Sequence, residues 1–317
     1  MSTKVFIDGS EGTTGLRIFE RFKDRDDIEI LKIDSELRKD PEERRKFINS
    51  SDITFLCLPD AASREAVSLI DPENDHTVII DASTAHRTEE GWAYGFPELS
   101  DAHLEAIKTG NRIAVPGCYA SGFIGLVYPL IAGGIISKDY PVSAFALSGY
   151  SGAGKKTIAV YESSDRPVEF ASGREYALTQ QHKHLKEMKA ITGLSRAPLF
   201  SPIIDDYYSG MVVSVPFYAD MLSKKMTPSE LLEYFREYYA GKDFIKVAAA
   251  DDETAASGFL AGNQLSGWDG MKIYVTGNEE RIVVSSQFDN LGKGASGAAI
   301  QCMNIRLGCD PAKGLNL

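Results

Sequence analysis

Cysteine is scarce in this sequence, and positive charge is not in excess. The 317 residues include only Cys57, Cys118, Cys302 and Cys309, with no CxxC pair and no histidine at zinc-ligand spacing. We therefore expect no metal site, free thiols and a reducing, cytoplasmic location. A formal net charge of −11 argues against nucleic acid and anionic membrane as partners. No hydrophobic run approaches the length that spans a bilayer, and no signal-peptide pattern precedes the first predicted strand.

The length of the chain favours two domains, and the arrangement of predicted strands and helices differs between its two parts. Strands predicted at residues 3–8, 28–33, 52–58, 77–81 and 112–115 alternate with helices, which indicates a doubly wound parallel sheet of the Rossmann type. Farther along, strands predicted at 142–148, 212–217, 244–249, 271–276 and 281–287 are separated by longer connections. These favour a second α+β domain with a mixed, mainly antiparallel sheet.

The first predicted strand leads into a glycine-rich turn and then into a helical pattern. This is the context of a dinucleotide-binding fingerprint, although the spacing is GxxGxxG rather than GxGxxG. Glycines let the backbone approach a pyrophosphate, and the amides at a helix N-terminus would bind it. A tight turn without a ligand is the alternative. The cofactor-binding residues expected here are Gly9, Ser10, Gly12, Thr13, Thr14 and Gly15.

Further cofactor contacts are expected after the other parallel strands. Asp34 suits the ribose hydroxyl of NAD, whereas Arg38 suits the 2′-phosphate of NADP, so the preference stays open. A solvated helix face is the alternative for Arg38, and also for Arg44. Because the carboxyl ends of parallel strands share one edge, the loops that contain Leu58-Pro59 and Ser83 are expected there, together with the turn around Cys118. We predict that this edge of the sheet is the functional site.

Cys118 lies where a predicted strand turns into a helix. Amides at a helix N-terminus lower the pKa of a thiol and can hold an oxyanion, so a nucleophile is expected; a buried structural cysteine is the alternative. A cysteine nucleophile needs a base, and His182 and His184 are the best candidates. In a strand the two histidines would face the same side, and in a helix they would diverge.

Six segments in this order resemble one enzyme family: 81–87 (DASTAHR), 94–99 (YGFPEL), 116–119 (PGCY), 148–154 (SGYSGAG), 182–184 (HKH) and 289–301 (DNLGKGASGAAIQ). Together they are similar to N-acetyl-gamma-glutamyl-phosphate reductases of the semialdehyde dehydrogenase group. The length of the chain and its opening at residues 8–15 (DGSEGTTG) resemble the short, type 2 branch of that family. The resemblance implies an NADP-binding Rossmann domain at residues 1–118 and 287–317, completed by the C-terminal helix. Residues 119–286 would form the catalytic and oligomerisation domain of a homodimer or homotetramer.

The resemblance also implies a reaction and roles for residues. N-acetyl-glutamyl phosphate and NADPH would give the semialdehyde, phosphate and NADP through a thioester on Cys118. His184 is our first choice for acid/base catalysis and His182 the second, because spacing alone cannot separate them. Anionic groups of the substrate or phosphate would be held by Arg87, Tyr150, Ser151 and Gly152, and the nicotinamide side of the cofactor would be near Asn290 and Lys293.

Four other interpretations remain open at this stage. One is a carrier-protein-linked relative of the lysine pathway, which would need a basic patch for an acidic carrier, and the sequence shows no strong one. Aspartate-semialdehyde dehydrogenases share the thioester chemistry and a similar tail after Asp289. A sensor protein would keep the Rossmann domain and bind NADP without catalysis. A cysteine hydrolase using Cys118 and His184 would leave the glycine turn and the tail at residues 290–301 unexplained, and it is the weakest of the four.

Overall fold

Six parallel strands organise the N-terminal part of the chain, in a computed structural model that describes residues 2–317. The elements are β1 (Thr3–Asp8), α1 (Thr13–Phe22), β2 (Ile28–Leu31), α2 (Pro41–Ser50), β3 (Ile53–Leu56), α3 (Asp60–Ser68), β4 (Val78–Asp81), β5 (Ala93–Tyr94), α4 (Asp101–Thr109) and β6 (Arg112–Ala114). The strand order is β2-β1-β3-β4-β6-β5. All pairs are parallel, which confirms the predicted doubly wound sheet.

Side chains alternate between the two faces of this sheet along each strand, and β1, β3 and β4 are buried on both faces. Val5 and Ile53 lie in one hydrophobic cluster, and Phe6 and Leu56 lie in the cluster on the opposite face. Each such side chain stabilises the fold by about 1.5–3 kcal/mol on full burial. The core strands are therefore almost entirely apolar, and polar residues are left to the loops at their ends.

A mixed sheet of seven strands organises the middle of the chain. Its elements are α5 (Cys118–Ala132), β7 (Ser143–Gly149), α6 (Lys155–Tyr161), β8 (Arg174–Glu175), α7 (Leu185–Thr192), β9 (Leu199–Asp205), β10 (Met211–Tyr218), α8 (Pro228–Tyr238), β11 (Ile245–Val247), α9 (Glu253–Ala256), β12 (Met271–Gly277) and β13 (Arg281–Phe288). The order is β11-β12-β13-β10-β7-β9-β8. Only β7–β9 and β11–β12 are parallel pairs, so the mixed, mainly antiparallel sheet is confirmed.

The chain separates into two compact units. The first runs to Gly117 and resumes at Ala295–Asn316, where α10 (Gly297–Arg306) adds Ala298, Ile300 and Met303 to the core around β1. The second is Cys118–Gly294. Cys118 and residues 287–294 therefore lie in the second unit, because α5 packs on β10 and β13 and the turn after β13 stays with that sheet.

Helix α8 begins with a capping box. Thr227 accepts a hydrogen bond from the Glu230 amide, and the Glu230 carboxylate accepts one from the Thr227 amide, which completes a capping box with Pro228 in the first turn. The aromatic side chains of Phe235 and Tyr239 are buried, so these rings pack in the core. Among the described residues, no helix is long and apolar enough to cross a membrane.

Candidate active site

The glycine turn of the first unit fits a dinucleotide. Gly9 has a φ of +88°, and a Cβ there would lie 2.4 Å from the Cys57 carbonyl oxygen; a Cβ at Gly15 would lie 2.4 Å from the Gly9 carbonyl oxygen. Only glycine allows this approach of two backbones. Thr13 begins α1, and Gly12 at the N-cap offers no side-chain cap to the first-turn amides. Uncapped amides and bare backbone are the features that bind a pyrophosphate.

Two arginines of the following segment have different environments. Arg38 is half-exposed and forms an ion pair with Glu11 of the glycine turn. Arg44 is buried: its guanidinium lies 3.0 Å from the Asp8 carboxylate at the end of β1 and 2.8 Å from that of Glu65. The solvated-face interpretation is therefore wrong for Arg44, because α2 turns this side chain inward to neutralise a buried carboxylate.

The loop after β4 is built around the buried carboxylate of Asp81. The Ser83 amide and hydroxyl donate to it at 2.9 and 2.7 Å, and His86 Nδ1 lies 2.6 Å away. Arg87 is also buried, and its guanidinium donates to the carbonyls of Val115 at 2.8 Å and Ala82 at 3.1 Å. Ser83 and Arg87 thus hold the shape of this loop at the carboxyl end of β4.

Leu58 and Pro59 follow the neighbouring strand β3. Leu58 is half-buried against the hydrophobic cluster around Phe6, and Pro59 is the N-cap residue of α3. Both therefore lie at the carboxyl end of β3, on the same edge as the glycine turn after β1 and the Ser83 loop after β4. The cofactor residues predicted in the first unit share one edge of its sheet.

Cys118 is the first residue of α5 in the second unit, and its thiol forms no disulfide. Cys118 contacts Gly294, which lies in the turn after β13: a Cβ on Gly294 would lie 2.9 Å from the Cys118 Cβ. That turn, Gly292–Ser296, is a single π-helical turn. Because Gly294 has no Cβ, the backbone of this turn can lie directly against Cys118, and the glycine therefore adjoins the candidate nucleophile.

Both predicted histidines surround Tyr119, the residue next to the thiol. The Tyr119 ring lies 5.7 Å from that of His182 and 6.0 Å from that of His184, and the two imidazoles are 4.6 Å apart. His184 is buried at the N-cap of α7, which packs on α5. His182 lies in the turn before it, so neither the strand nor the helix alternative applies. Burial and the charge of Lys183 lower the pKa of His182 to about 4.

The Ser151 loop, a short 3-10 turn at Tyr150–Ala153, is tied to the residues after β13. Asn290 is buried; its Nδ2 donates to the Ser151 hydroxyl at 2.9 Å and its Oδ1 accepts from the Gly210 amide at 2.8 Å. A Cβ on Gly152 would lie 3.2 Å from the same Nδ2. The Tyr150 ring stacks on Tyr161 at 4.5 Å. Asn290 thus organises a loop predicted to bind substrate.

Lys293 is buried in the second unit, with its ammonium 5.0 Å from the Phe244 ring centroid. One further residue escaped the sequence analysis: the Tyr176 hydroxyl lies 3.2 Å from His182 Nε2. Tyr176 stands six positions before that histidine, in a segment without periodicity, so no local pattern marks it.

Comparison with known proteins decides the family. Residues 4–107 match the family model for the semialdehyde dehydrogenase NAD binding domain, and residues 118–290 match that for the semialdehyde dehydrogenase dimerisation domain. A relative named N-acetyl-gamma-glutamyl-phosphate reductase from Brucella ovis is 43% identical over 311 residues, covering 97% of this chain and 100% of its own. A relative named N-acetyl-gamma-glutamyl-phosphate reductase 2 from Nostoc sp. is 42% identical over 320 residues, covering 98% and 99%. The chain belongs to the N-acetyl-gamma-glutamyl-phosphate reductase family.

Membership of the N-acetyl-gamma-glutamyl-phosphate reductase family confirms the resemblance carried by the six sequence segments. The fold is shared more widely. The chain is similar to aspartate semialdehyde dehydrogenase II of Vibrio cholerae, a structure determined in complex with ASA, with a TM-score of 0.70, 15% identity and coverage of 97% and 99%. Likeness at that identity concerns the fold alone. The N-acetyl-gamma-glutamyl-phosphate reductase relatives are therefore the ones that bear on chemistry.

Proposed function

We propose that this chain catalyses the NADPH-dependent reduction of N-acetyl-L-glutamyl 5-phosphate to N-acetyl-L-glutamate 5-semialdehyde and phosphate, a step of arginine biosynthesis. The observation that carries the proposal is a thiol at the first residue of α5 that forms no disulfide and adjoins a cluster of two histidines and two tyrosines, of which Tyr119 and His184 are buried. The full-length similarity to reductases of that name supports the choice of substrate.

Cys118 is the proposed nucleophile. Its thiolate attacks the acyl carbon, the new C–S bond forms as the bond from carbon to the phosphate oxygen breaks, and phosphate leaves. The main-chain amides of the first turn of α5, which begins at Cys118, are the proposed donors to the oxyanion of each tetrahedral species. NADPH, when bound, supplies the hydride that reduces the thioester.

His184 is the proposed acid/base. As an imidazolium it donates a proton to the thiohemiacetal oxygen, and as an imidazole it removes that proton when the C–S bond breaks and the aldehyde leaves. Its place at the N-cap of α7, with its ring centroid 6.0 Å from that of Tyr119, the residue next to Cys118, supports this role. His182 is the weaker candidate, because its low pKa makes it a poor proton donor near pH 7.

The remaining predicted residues have proposed binding roles. The glycine turn holds the pyrophosphate, and Arg38 binds the 2′-phosphate that distinguishes NADP from NAD, supported by its exposed place beside Glu11. The Ser151 loop, held by Asn290, binds the substrate, and Lys293 supplies positive charge. Arg87 binds an anionic group. A reducing, cytoplasmic location is proposed on the ground that none of the four cysteines forms a disulfide.

A homodimer or homotetramer is proposed for this chain. One face of the second unit's sheet is packed under α5, while the opposite face exposes Phe145, Leu199 and Tyr218 by 53%, 69% and 59%. The register of β10, β7 and β9 places these side chains on the same face. An apolar face of this kind suits a second copy of the chain. Sedimentation of the wild type beside a Tyr218→Asp variant tests it, and a monomeric wild type would refute it.

The decisive assay runs the reaction backwards. Reduction of NADP is measured with N-acetyl-glutamate semialdehyde, with and without phosphate, beside aspartate semialdehyde and beside NAD. Phosphate-dependent turnover of the acetylated substrate supports the proposal, and Cys118→Ser should fold, bind NADP and lose nearly all of it. Turnover of aspartate semialdehyde alone would keep the chemistry and change the substrate. Cofactor binding without any turnover would favour the sensor interpretation.

A further inference from the structure

The two ring nitrogens of His182 face different groups. Its Nδ1 accepts a hydrogen bond from the main-chain amide of His184, at 3.1 Å. A nitrogen that accepts such a bond carries no proton. If the ring is neutral, its single proton is on Nε2, which lies 3.2 Å from the Tyr176 hydroxyl. The hydrogen bonds therefore select one tautomer, in which Nε2–H donates to the tyrosine oxygen.

The surroundings keep the ring neutral. The Tyr119 ring meets His182 edge-on at 5.7 Å, the Phe200 ring does so at 5.3 Å, and the adjacent Lys183 supplies positive charge. Burial and Lys183 both lower the pKa of His182. Burial raises the pKa of Tyr176, so this residue stays a phenol and its oxygen can accept.

We propose that His182 is a positioning residue: as a neutral Nε2–H imidazole it links the Tyr176 hydroxyl to the main chain of His184 and so orients the acid/base. The inference rests on the proposed function for the identity of the reaction, and on the geometry alone for the tautomer. The bond is made where α7 begins, so it fixes the backbone from which the His184 ring projects over Tyr119. Tyr176 acts one step farther away, by holding the His182 ring in place.

Two substitutions of His182 separate positioning from acid/base catalysis. His182→Asn keeps an acceptor oxygen near the Nδ1 position, whereas His182→Gln places its carboxamide near the Nε2 position and leaves the His184 amide without its acceptor. Neither variant can act as an acid/base near pH 7. We expect His182→Asn to retain most of the turnover. His182→Gln should lose about 10- to 100-fold in kcat, the scale of a misplacement of up to ~1 Å, with KM little changed.

The pH profile and a spectroscopic signature complete the test. If His184 is the acid/base, part of the pH dependence of kcat comes from its protonation. That pH dependence should remain in both His182 variants and should vanish in His184→Asn. The ¹⁵N shifts of His182 in the wild type should show a protonated Nε2 and an unprotonated Nδ1 at pH 7, and Tyr176→Phe should weaken that preference. Thermal unfolding of every variant identifies any that fails to fold.

Several results would overturn the inference. Equal loss of turnover in His182→Asn and His182→Gln, or equal retention, would show that the Nδ1 acceptor does not matter. Loss of the pH limb in His182→Asn would make His182 the acid/base. A proton on Nδ1 at pH 7 would refute the tautomer whatever the turnover. If the wild type turns over neither semialdehyde, the proposed function fails while the ¹⁵N measurement still judges the geometry.

Discussion

Gly294→Ala should inactivate the protein by displacing its thiol. A Cβ at this position would lie 2.9 Å from the Cys118 Cβ and 3.3 Å from the Cys118 Cα. Non-bonded carbons prefer about 3.5–4.0 Å, so relief requires a shift of roughly 0.6–1 Å by the start of α5 or by the turn. Misplacement of a reacting group by ~1 Å costs on the order of 10²-fold in rate. We therefore expect kcat to fall by about that factor.

The same substitution should cost less in stability than in activity. Overpacking of this kind destabilises by about 1–3 kcal/mol, which leaves a protein of ordinary stability folded. The assays are kcat, urea unfolding and the rate at which iodoacetamide alkylates the Cys118 thiol. All are measured in one background that combines Cys57→Ser, Cys302→Ala and Cys309→Ser, so that Cys118 is the thiol that reacts.

Gly173→Ala is the matched control, because its Cβ would come no closer than 3.2 Å, to the γ2 methyl group of Ile203. This control should retain kcat and the alkylation rate. Wild-type kcat and wild-type alkylation in a folded Gly294→Ala variant would refute the assignment of Gly294 to the site.

Three further predictions follow from other contacts. Glu11→Gln frees Arg38 from an exposed ion pair worth up to ~1 kcal/mol, so the Kd for NADPH in a fluorescence titration should fall by up to about fivefold while that for NADH stays unchanged; equal effects on both would contradict it. Thr227→Ala removes half of a capping box and should lower the free energy of unfolding by about 1 kcal/mol, whereas Thr227→Ser should not. His182 is charged in the unfolded chain below its ordinary pKa of 6.5 but in the folded chain only below about 4, so unfolding takes up a proton in this window and stability falls as pH drops from 6.5 to 4. In His182→Asn the free energy of unfolding should fall less between pH 6.5 and pH 4 than it does in the wild type. If the difference in free energy of unfolding between variant and wild type stays the same across this pH range, the lowered pKa of His182 is refuted.

The sequence predicts features whose physics is local. A glycine with positive φ at the end of β1, a thiol at the start of a helix and the capping box of α8 each depend on a few consecutive residues. Alternating strands and helices indicate a parallel sheet because connections of that kind are short and right-handed. The order of six motifs is likewise a property of the chain alone, and it was sufficient to name the family.

The sequence analysis missed elements that depend on neighbours distant in the chain. Strand β9 contains Pro202, which cannot donate to a ladder and argues against a strand, yet β7 and β8 pair with it on its two sides. Strand β8 has two residues, too few to show a period. Pairing with strands already in the sheet stabilises both segments, and no local propensity reports it.

The amino-acid sequence by itself determined the parallel sheet, most strands of the mixed sheet, the glycine turn after β1 and the place of Cys118 at the start of a helix, because periodicity and turn chemistry act over a few residues. Only the tertiary structure decided which side chains meet. Arg44 is buried against Asp8 because α2 packs on β1, although its sequence context is a charged surface helix. The environments of His182 and His184 differ because the His182 imidazole accepts a hydrogen bond from the His184 amide and also contacts the Tyr176 hydroxyl, and spacing cannot encode these contacts.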